Sequence, residues 1–426
     1  MSFKDSLASK FVAENEIPEA FRAEKELHQK TYLVNGEMKI WNGSSHTVLS
    51  PICIKNGDKL ERKIIGSYPL CTEKEAMEAL DAAVAAYNYG RGEWPTMSVA
   101  DRISCMEKFT GKMIEKKKQV VSLIMWEIGK SYADSIKEFD RTIEYIQGTI
   151  DALKDVDRNS SKFVIEQGII GQIRRAPFGV VLCMGPFNYP LNETFTTLIP
   201  AVIMGNTLLF KPPKHGTLLF APLLEAFKEC FPKGVINTIY GRGNTIIPAL
   251  MQSGKIDVLT LIGSSRVADS LKKMHPKSNR LRAVLGLDAK NAAIITQSAD
   301  IDLTVKETVL GSLSFNGQRC TALKILFVHR SIADTFIQKL SAEISKLKFG
   351  MPWEEGVFLT PIPEPNKPEY LKACIDDAIN NGAKVMNENG GTTVESFVYP
   401  AVVYPVNNKM KLYREEQFGP VIPVVP

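Results

Sequence analysis

VVLCMGPFNYP, Val180 to Pro190, and TLLFKPP, Thr207 to Pro213, each set a short apolar run before a turn that contains proline. Apolar runs bounded by turn residues predict buried strands. Further runs follow, with helical stretches between them, at VINTIY (235–240), at VLTLI (258–262) and in the segment that ends at Leu285. Because parallel strands need crossover connections, this alternation predicts a parallel sheet covered by helices. We expect an α/β fold with a doubly wound parallel sheet of the nucleotide-binding kind.

Three other regions have distinct patterns. A second series of strands and helices begins at Ala292 and predicts a second α/β domain with Cys320 near its start. SKFVIEQGIIGQIRRAP, residues 161–177, alternates around two glycines and predicts a projecting β-hairpin. Upstream, Thr72 to Tyr89 reads as a helix with a capping box and with Gly90 as its end.

The composition is that of an ordinary soluble globular protein. The 426 residues include 52 basic and 47 acidic side chains, a net charge of +5, and the longest basic run is the lysine triplet at 116–118. This balance favours a solvated surface over a nucleic-acid groove. The seven cysteines form no CxxC pair and the five histidines show no metal-ligand spacing, so we expect a reduced protein without a metal.

The N-terminus, MSFKDSLASKFVAENE, is amphipathic and contains acids, unlike a secretory signal or a typical transit peptide. No apolar run has the length needed to span a bilayer. We expect a cytoplasmic protein that has neither a membrane nor a nucleic acid as its partner.

FNGQRCTALK, Phe315 to Lys324, places Cys320 directly after Arg319 and beyond an Asn-Gly turn pair. A nucleophilic cysteine needs a nearby positive potential or a base, because the thiolate is its reactive form. Arg319 offers a fixed cation, and the helix-like stretch after Cys320 offers N-terminal backbone amides. The alternative is a small apolar residue that fills a core. This segment alone leaves both interpretations open.

Four motifs occur in order along the chain: PFNYP (186–190), KPP (211–213), GQRC (317–320) and E-x-F-G-P (416–420). Together they resemble the aldehyde dehydrogenase superfamily, from about residue 30 to the end. With RRAPFG and GRG added, the likeness is closest to the non-phosphorylating, NADP-dependent glyceraldehyde-3-phosphate dehydrogenases. The resemblance implies that a small aldehyde is oxidised to a carboxylic acid.

The resemblance also implies a division into domains. The cofactor-binding domain would be discontinuous, over residues 1–157 and 177–290. Residues 158–176 would form a β-hairpin oligomerisation arm, and residues 291–426 the catalytic domain.

In this resemblance, Cys320 matches the nucleophile that attacks the aldehyde carbon and gives a thiohemiacetal. Asn188 matches the asparagine whose amide, with the Cys320 backbone N–H, holds the developing oxyanion. Hydride transfer to the nicotinamide and hydrolysis of the resulting thioester would complete the reaction. Without the other motifs, Asn188 beside Pro190 would be read as a turn residue.

The implied cofactor site uses residues from several motifs. Lys211 matches the lysine that binds the adenine ribose, Ser264 the serine near the pyrophosphate, and Glu416 with Phe418 the pair at the nicotinamide ribose and ring. Family members that prefer NAD often carry an acid three residues after the lysine, whereas this chain has Lys214, which suits a 2′-phosphate. We therefore expect NADP rather than NAD. The fingerprint G-x-G-x-x-G is absent, and the remaining candidates are Pro186, Phe187 and Gly243, the last in a G-R-G that is equally consistent with a tight turn.

The expected substrate is glyceraldehyde 3-phosphate. Arg141, Tyr189 and Arg319 match positions that hold its phosphate in the resembling group, and a guanidinium fits a phosphate because its donors form a planar fork. Arg141 is equally consistent with a helix-surface residue that pairs with Glu138.

The sequence departs from the family at the general base. The family has the glutamate of E-L-G-G-K, which activates the deacylating water, whereas this chain has GLDAK with Gly286 in the glutamate position. Asp288 supplies the carboxylate if the loop takes a different path. Alternatively, deacylation is slow or uses another acceptor such as a thiol, or the chain is a catalytically impaired nucleotide-binding or structural protein.

The sequence stops at GPVIPVVP, an apolar strand-like segment after which the family continues. We expect a catalytic domain that is truncated at its C-terminus and has an open sheet edge. A full-length chain would form a homodimer or homotetramer. A cysteine acyltransferase or thioesterase on an unrelated α/β scaffold is a further alternative, although no motif places a histidine near Cys320.

Overall fold

The computed structural model describes residues 2–23 and 25–426 as strands and helices that alternate through much of the chain. The strands are β1 Leu27–His28, β2 Thr31–Val34, β3 Glu37–Ile40, β4 Ser45–Asn56, β5 Lys59–Pro69, β6 Phe163–Glu166, β7 Ile169–Gln172, β8 Val180–Met184, β9 Thr207–Lys211, β10 Ile236–Thr238, β11 Val258–Ile262, β12 Arg282–Gly286, β13 Ala292–Ile295, β14 Ile325–Val328, β15 Lys384–Val385, β16 Thr393–Val394, β17 Phe397–Val398, β18 Ala401–Tyr404 and β19 Val421–Val425. The helices are α1 Phe3–Ala8, α2 Glu73–Tyr87, α3 Glu93–Thr96, α4 Val99–Glu115, α5 Lys117–Ile128, α6 Tyr132–Ser160, α7 Asn192–Ile203, α8 Leu224–Cys230, α9 Gly243–Gln252, α10 Ser265–Met274, α11 Ile301–Leu313, α12 Arg330–Ile344, α13 Lys367–Asn380 and α14 Lys411–Arg414. Short 3-10 helices cover Glu14–Glu16, Glu19–Phe21, Asn88–Gly90, Leu218–Leu223 and Ser314–Gly317.

The larger sheet has seven strands in the order β12-β11-β8-β9-β10-β2-β3. Strands β8 to β12 pair in parallel as predicted, and β2 with β3 adds an antiparallel edge that the sequence pattern did not indicate. Every residue of β8 is buried, which is why that strand reads as a continuous apolar run. The chain moves outward from β8 to β9 and β10, then returns to β11 on the other side of β8. Strand order therefore reverses between β8 and β11, where doubly wound sheets open a ligand crevice.

A second sheet has five strands in the order β13-β14-β19-β18-β15 and confirms the second α/β series. The first four of these strands pair in parallel, and β15 is antiparallel to β18. Strand β19 lies in the middle, between β14 and β18. The loop of residues 314–324, which contains Cys320, leads from α11 into β14.

Strands β6 and β7 form a two-stranded antiparallel hairpin, at the position where the sequence predicts one. All eight strand residues are exposed, and α6 leads into the hairpin from Ser160. The use of this hairpin in oligomerisation and the domain limits at residues 157, 176 and 290 stay predictions.

Helix α2 has the predicted capping box: Thr72 and Glu75 satisfy each other's backbone N–H groups. The predicted end at Gly90 is wrong by a few residues. The helix ends at Tyr87 because Asn88 adopts a left-handed conformation with φ of 45°. Among the described residues, none of the helices combines the length and the apolar character that crossing a bilayer requires.

Candidate active site

A cavity of about 970 Å³ opens at the carboxyl ends of β8, β9, β11 and β12, where the strand order reverses. Its lining includes Cys320 and Asn188 as well as Lys211 and Ser264. Residues from 364–370, together with Glu416 and Phe418, complete the lining. The fold thus brings the four sequence motifs, which are far apart along the chain, to one crevice.

The loop before Cys320 has an unusual backbone. Phe315, Asn316 and Gly317 have φ values of 49°, 56° and 70°, all in the left-handed region. A Cβ atom at Gly317 would lie 2.7 Å from the carbonyl oxygens of Ser312 and Gly419, so only glycine fits there. Such a conformation persists only where the surroundings determine it.

Three buried or half-buried side chains hold this loop. Lys324 Nζ donates to the Gly317 carbonyl at 2.7 Å, and Asn316 Oδ1 accepts the Thr360 N–H at 3.0 Å. Asn291 Nδ2 donates to the carbonyls of Cys320 and Ala322 at 2.6 and 3.0 Å. The backbone on both sides of the thiol is therefore fixed by side-chain hydrogen bonds.

Cys320 is exposed, in contrast to the buried residues that precede it, which contradicts the interpretation as a core-filling residue. The predicted helix after Cys320 is wrong, since residues 320–322 form a turn and a bend, and irregular chain then leads into β14. Desolvation raises the pKa of the Cys320 thiol, and the charge of Glu193 adds to the rise, while the backbone N–H groups of Cys320 and Thr321 oppose it. Arg319, which we expected to act as a fixed cation beside the thiol, donates to Thr321 Oγ1 at 3.2 Å.

Asn188 faces the cavity next to Cys320 and is 4% exposed. Its Nδ2 donates to the Gln318 carbonyl at 2.8 Å, which ties the PFNYP segment to the Cys320 loop. An amide NH₂ carries two hydrogens, so this bond uses one of them and leaves the other available to an oxyanion.

A buried ion pair lies behind Asn188. Lys130 and Glu138 contact each other with both side chains fully buried, and Lys130 Nζ also donates to the Asn188 carbonyl at 2.8 Å. Glu138 Oε1 accepts the N–H groups of Leu191 and Asn192 at 3.0 and 3.2 Å, at the start of α7. The pair thus fixes the backbone on both sides of Tyr189.

The predicted cofactor residues lie along the strand ends. Lys211, Lys214, Pro186, Phe187, Ser264, Glu416 and Phe418 all line the cavity. Gly243 begins α9, and a Cβ atom added there would lie 4.0 Å from Lys211 Cε. The rings of Phe187 and Phe418 meet edge to face at 5.7 Å. Desolvation lowers the pKa of Lys211 to about 8.

The side chains at these strand ends, which we call the dinucleotide wall, have the chemistry to fit a dinucleotide. Ser264 is the N-cap of α10, where backbone amides favour an anion, and Lys214 is an exposed cation nearby. Glu416 Oε1 is buried and has no hydrogen-bond partner within residues 2–23 and 25–426, so a ribose hydroxyl would satisfy it. Desolvation also raises the pKa of Glu416, with Asp288 adding to the rise.

Gly286 and Asp288 both line the cavity near this wall. A Cβ atom on Gly286 would lie 3.3 Å from Ile262 Cγ1, so a side chain there would press on β11. Asp288 Oδ2 accepts the Ser265 N–H at 2.7 Å and thereby occupies the first turn of α10. Asp288, the carboxylate predicted as a base, is thus hydrogen-bonded to the N-terminus of α10, the same helix end that could bind a phosphate.

The three predicted substrate residues lie outside the cavity lining but near one another. Desolvation raises the pKa of Tyr189 to about 12, and the charges of Arg319 and Arg141 oppose the rise. Arg141 is exposed, and Glu138 is buried against Lys130, so the alternative in which Arg141 pairs with Glu138 is wrong.

Residues 52–426 match the aldehyde dehydrogenase family. This chain is a member of that family. It is 31% identical, over 92% of its length and 79% of the relative's, to the NADP-dependent glyceraldehyde-3-phosphate dehydrogenase of Streptococcus equinus. It is 30% identical, over 85% of its length and 74% of the relative's, to the malonate-semialdehyde dehydrogenase of Bacillus pumilus.

A solved structure of NADP-dependent glyceraldehyde-3-phosphate dehydrogenase from Bacillus halodurans, complexed with NADP, has the same fold. It superposes with a TM-score of 0.83 at 28% identity, over 94% of this chain and 81% of the other. Lactaldehyde dehydrogenase from Escherichia coli gives 0.81 at 25% identity, over 93% and 81%. The aldehyde dehydrogenase fold is therefore shown, and oxidation of aldehydes is the activity of the family.

Sequence reasoning missed several polar residues of this aldehyde dehydrogenase site. Lys130, Lys324 and Asn291 hold the backbone, and Glu193 lines the cavity. Lys130 ends the apolar run VVSLIMWEIGK, and a charge beside such a run signals a buried partner. Glu193 carried no comparable signal, since it begins an amphipathic helix.

Proposed function

We propose that this aldehyde dehydrogenase oxidises glyceraldehyde 3-phosphate, or a closely similar phosphorylated aldehyde, to its acid with NADP and with Cys320 as the nucleophile. The observation that supports it best is the exposed Cys320 thiol in one cavity with Asn188 and the dinucleotide wall. NADP, when bound, supplies the acceptor for the hydride.

The residues of this chain then divide the work. The Cys320 sulfur attacks the aldehyde carbon as a thiolate, and Asn188 with the Cys320 N–H stabilises the oxygen that becomes negative. The surroundings raise the pKa of the thiol, so proton removal by a nearby group assists this step. Loss of hydride leaves a thioester on Cys320, which water hydrolyses.

Three positively charged positions support the choice of cofactor and substrate. Lys214 is exposed at the cavity edge, where a 2′-phosphate would meet a cation instead of an acid. The charges of Arg319 and Arg141 both oppose the rise in the pKa of Tyr189, which indicates that the two guanidinium groups lie near this ring. In our proposal they bind the phosphate of the substrate. The names of the relatives from Streptococcus equinus and Bacillus halodurans point to the same pair of reactants. A cytoplasmic location and a homodimer or homotetramer stay predictions.

The test mixes the protein with NADP and a panel of aldehydes and follows the absorbance of NADPH, with Cys320→Ala as control. We expect glyceraldehyde 3-phosphate to give the highest kcat/KM. Faster oxidation of simple aliphatic aldehydes would rule out the phosphate site, and an equal kcat/KM with NAD would rule out the cofactor choice. No signal with any aldehyde would favour a catalytically impaired nucleotide-binding protein.

A further inference from the structure

The cavity contains more carboxylates than the proposed function has used. Its lining includes Glu193, Asp288, Glu364 and Glu416. Hydrolysis of a thioester at neutral pH needs one of them as a base, because water is a poor nucleophile. Gly286 supplies none, and Ile262 restricts a side chain there. The question is which carboxylate is both near Cys320 and free.

Three of the four have other partners or roles. Asp288 accepts the Ser265 N–H at 2.7 Å. Glu364 forms an ion pair with Lys367 at 3.0 Å. Glu416 lines the dinucleotide wall with a buried oxygen, and the proposed function assigns that oxygen to a ribose hydroxyl. Each would have to leave its present contact or position to act at the sulfur.

Glu193 differs from these three in its environment. It is half-buried, and no donor or cation of the described residues lies within hydrogen-bond or ion-pair distance of its carboxylate. After desolvation, its charge is the largest contribution that raises the pKa of the Cys320 thiol, ahead of Glu416. Among the carboxylates of the cavity, Glu193 therefore has the largest electrostatic effect on the pKa of the Cys320 thiol.

The position of Glu193 is also fixed. It lies on the first turn of α7, and its N–H donates to the Tyr189 carbonyl at 3.1 Å. The same turn is held by Glu138, which is held in turn by Lys130. Asn188 and Glu193 thus belong to one rigid segment and line the same cavity as the Cys320 thiol, as a preorganised site requires.

We propose that Glu193 is the general base that activates the deacylating water at Cys320, in place of the glutamate absent from residue 286. The inference rests on the proposed function, because it needs an acyl group on the Cys320 sulfur. Desolvation and the charge of Glu138 raise the pKa of Glu193, while the charges of Arg141 and Lys130 oppose the rise. The net rise brings the carboxylate closer to the range of an effective base.

In this step, Glu193 takes a proton from water while the water oxygen bonds to the thioester carbon. The carbonyl electron pair moves onto oxygen, where Asn188 and the Cys320 N–H stabilise it. When that pair returns, the C–S bond breaks and Cys320 leaves as the thiolate. The acid departs, and Glu193 passes its proton to solvent, so the hydrolysis needs neither oxidant nor reductant.

The deciding experiment uses 4-nitrophenyl acetate, which acylates a thiol without any cofactor. In Glu193→Gln we expect the burst of nitrophenolate to remain while the steady rate falls about 10²-fold or more. Glu193→Asp keeps the carboxylate on a shorter side chain, so its steady rate should lie between the rates of the parent and of Glu193→Gln. Glu144→Gln, at an exposed position on α6, is the matched control and should match the parent. Thermal unfolding of each variant checks that the fold is intact.

Two further readouts separate a base from a structural role. Hydroxylamine attacks thioesters without a base, so it should restore turnover of Glu193→Gln. The parent should lose its steady rate as the pH falls through the raised pKa of Glu193, and the variant should lose that dependence. Removing the charge should also lower the pKa of Cys320 and speed its alkylation by iodoacetamide at a fixed pH about two- to fivefold.

The outcomes are distinct. A steady rate in Glu193→Gln equal to that of the parent would refute the role of Glu193 and leave the proposed function standing. The same follows if Asp288→Asn, rather than Glu193→Gln, blocks the second step. If the parent gives no burst and Cys320→Ala behaves identically, the nucleophile itself is wrong, and the proposed function falls with it.

Discussion

The loop that carries Cys320 and the end of β12 face the same cavity, but they are held in different ways. Lys324, Asn316 and Asn188 hold the loop and are 1%, 2% and 4% exposed. Strand β12 is the edge strand of its sheet, and Gly286 at its end is exposed. A backbone fixed by buried donors tolerates little change, whereas an exposed strand end accepts substitution. The family pattern is kept at the first place and lost at the second.

The largest effect is expected at the nucleophile. Cys320→Ala should lower aldehyde oxidation by about 10⁴-fold or more, because no other group can form the covalent bond. Its free energy of unfolding should change by less than about 0.5 kcal/mol, since the side chain is exposed. NADPH formation and urea unfolding measure the two quantities. Substantial residual oxidation would show that the ordered loop serves some purpose other than holding a nucleophile.

The next largest effect concerns the support behind the loop. Lys130→Met leaves Glu138 buried without its partner, which should cost about 3–5 kcal/mol of unfolding free energy. Urea denaturation measures the cost, and Lys137→Met, at a largely exposed lysine, is the control. A loss below 1 kcal/mol would mean that the loop is less firmly held than its contacts indicate.

Asn188→Ala removes the amide that we propose as an oxyanion donor, and it should lower kcat about 10²- to 10³-fold with little change in KM. Steady-state kinetics with NADP and the best aldehyde provide the measurement. A rise in KM at constant kcat would show that Asn188 binds the substrate in the ground state. The Cys320 loop would then differ less from the end of β12 in its importance for the chemical step.

Lys214→Glu tests the dinucleotide wall. A carboxylate at this exposed position should repel a 2′-phosphate and shift the ratio of kcat/KM for NADP over NAD by about 10- to 100-fold toward NAD. Kinetics with both cofactors give the ratio. An unchanged ratio would place the 2′-phosphate away from Lys214.

The smallest effect is expected at the end of β12. Gly286→Glu restores the residue that the family carries, but its Cβ would press on Ile262 at 3.3 Å. We expect about 1 kcal/mol of destabilisation and a change in kcat below about threefold, because in our proposal Glu193 already serves as the base. A large gain in kcat would show that the strand end is the proper place for the base.

The sequence predicted the fold well because buried parallel strands and their turns are local signals. VVLCM and VLTLI match β8 and β11 residue for residue. Seven of the eight cofactor candidates, all except Gly243, line one cavity, and their roles toward a cofactor stay predictions. The sequence could not predict Lys130–Glu138 or the isolation of Glu193, because these depend on which distant surfaces meet. Nor could it show that Asp288 binds the first turn of α10.

Strand β19 joins two parts of the second sheet that are distant in sequence. It pairs with β14, which begins just after the Cys320 loop, and with β18 on its other side. Glu416 and Phe418 lie in the turn that leads directly into β19. Because β19 pairs on both sides, this one strand places the turn that carries Glu416 and Phe418 at the same cavity as the Cys320 loop. A chain in which β19 is unpaired would therefore lose one wall of the cavity while keeping the thiol.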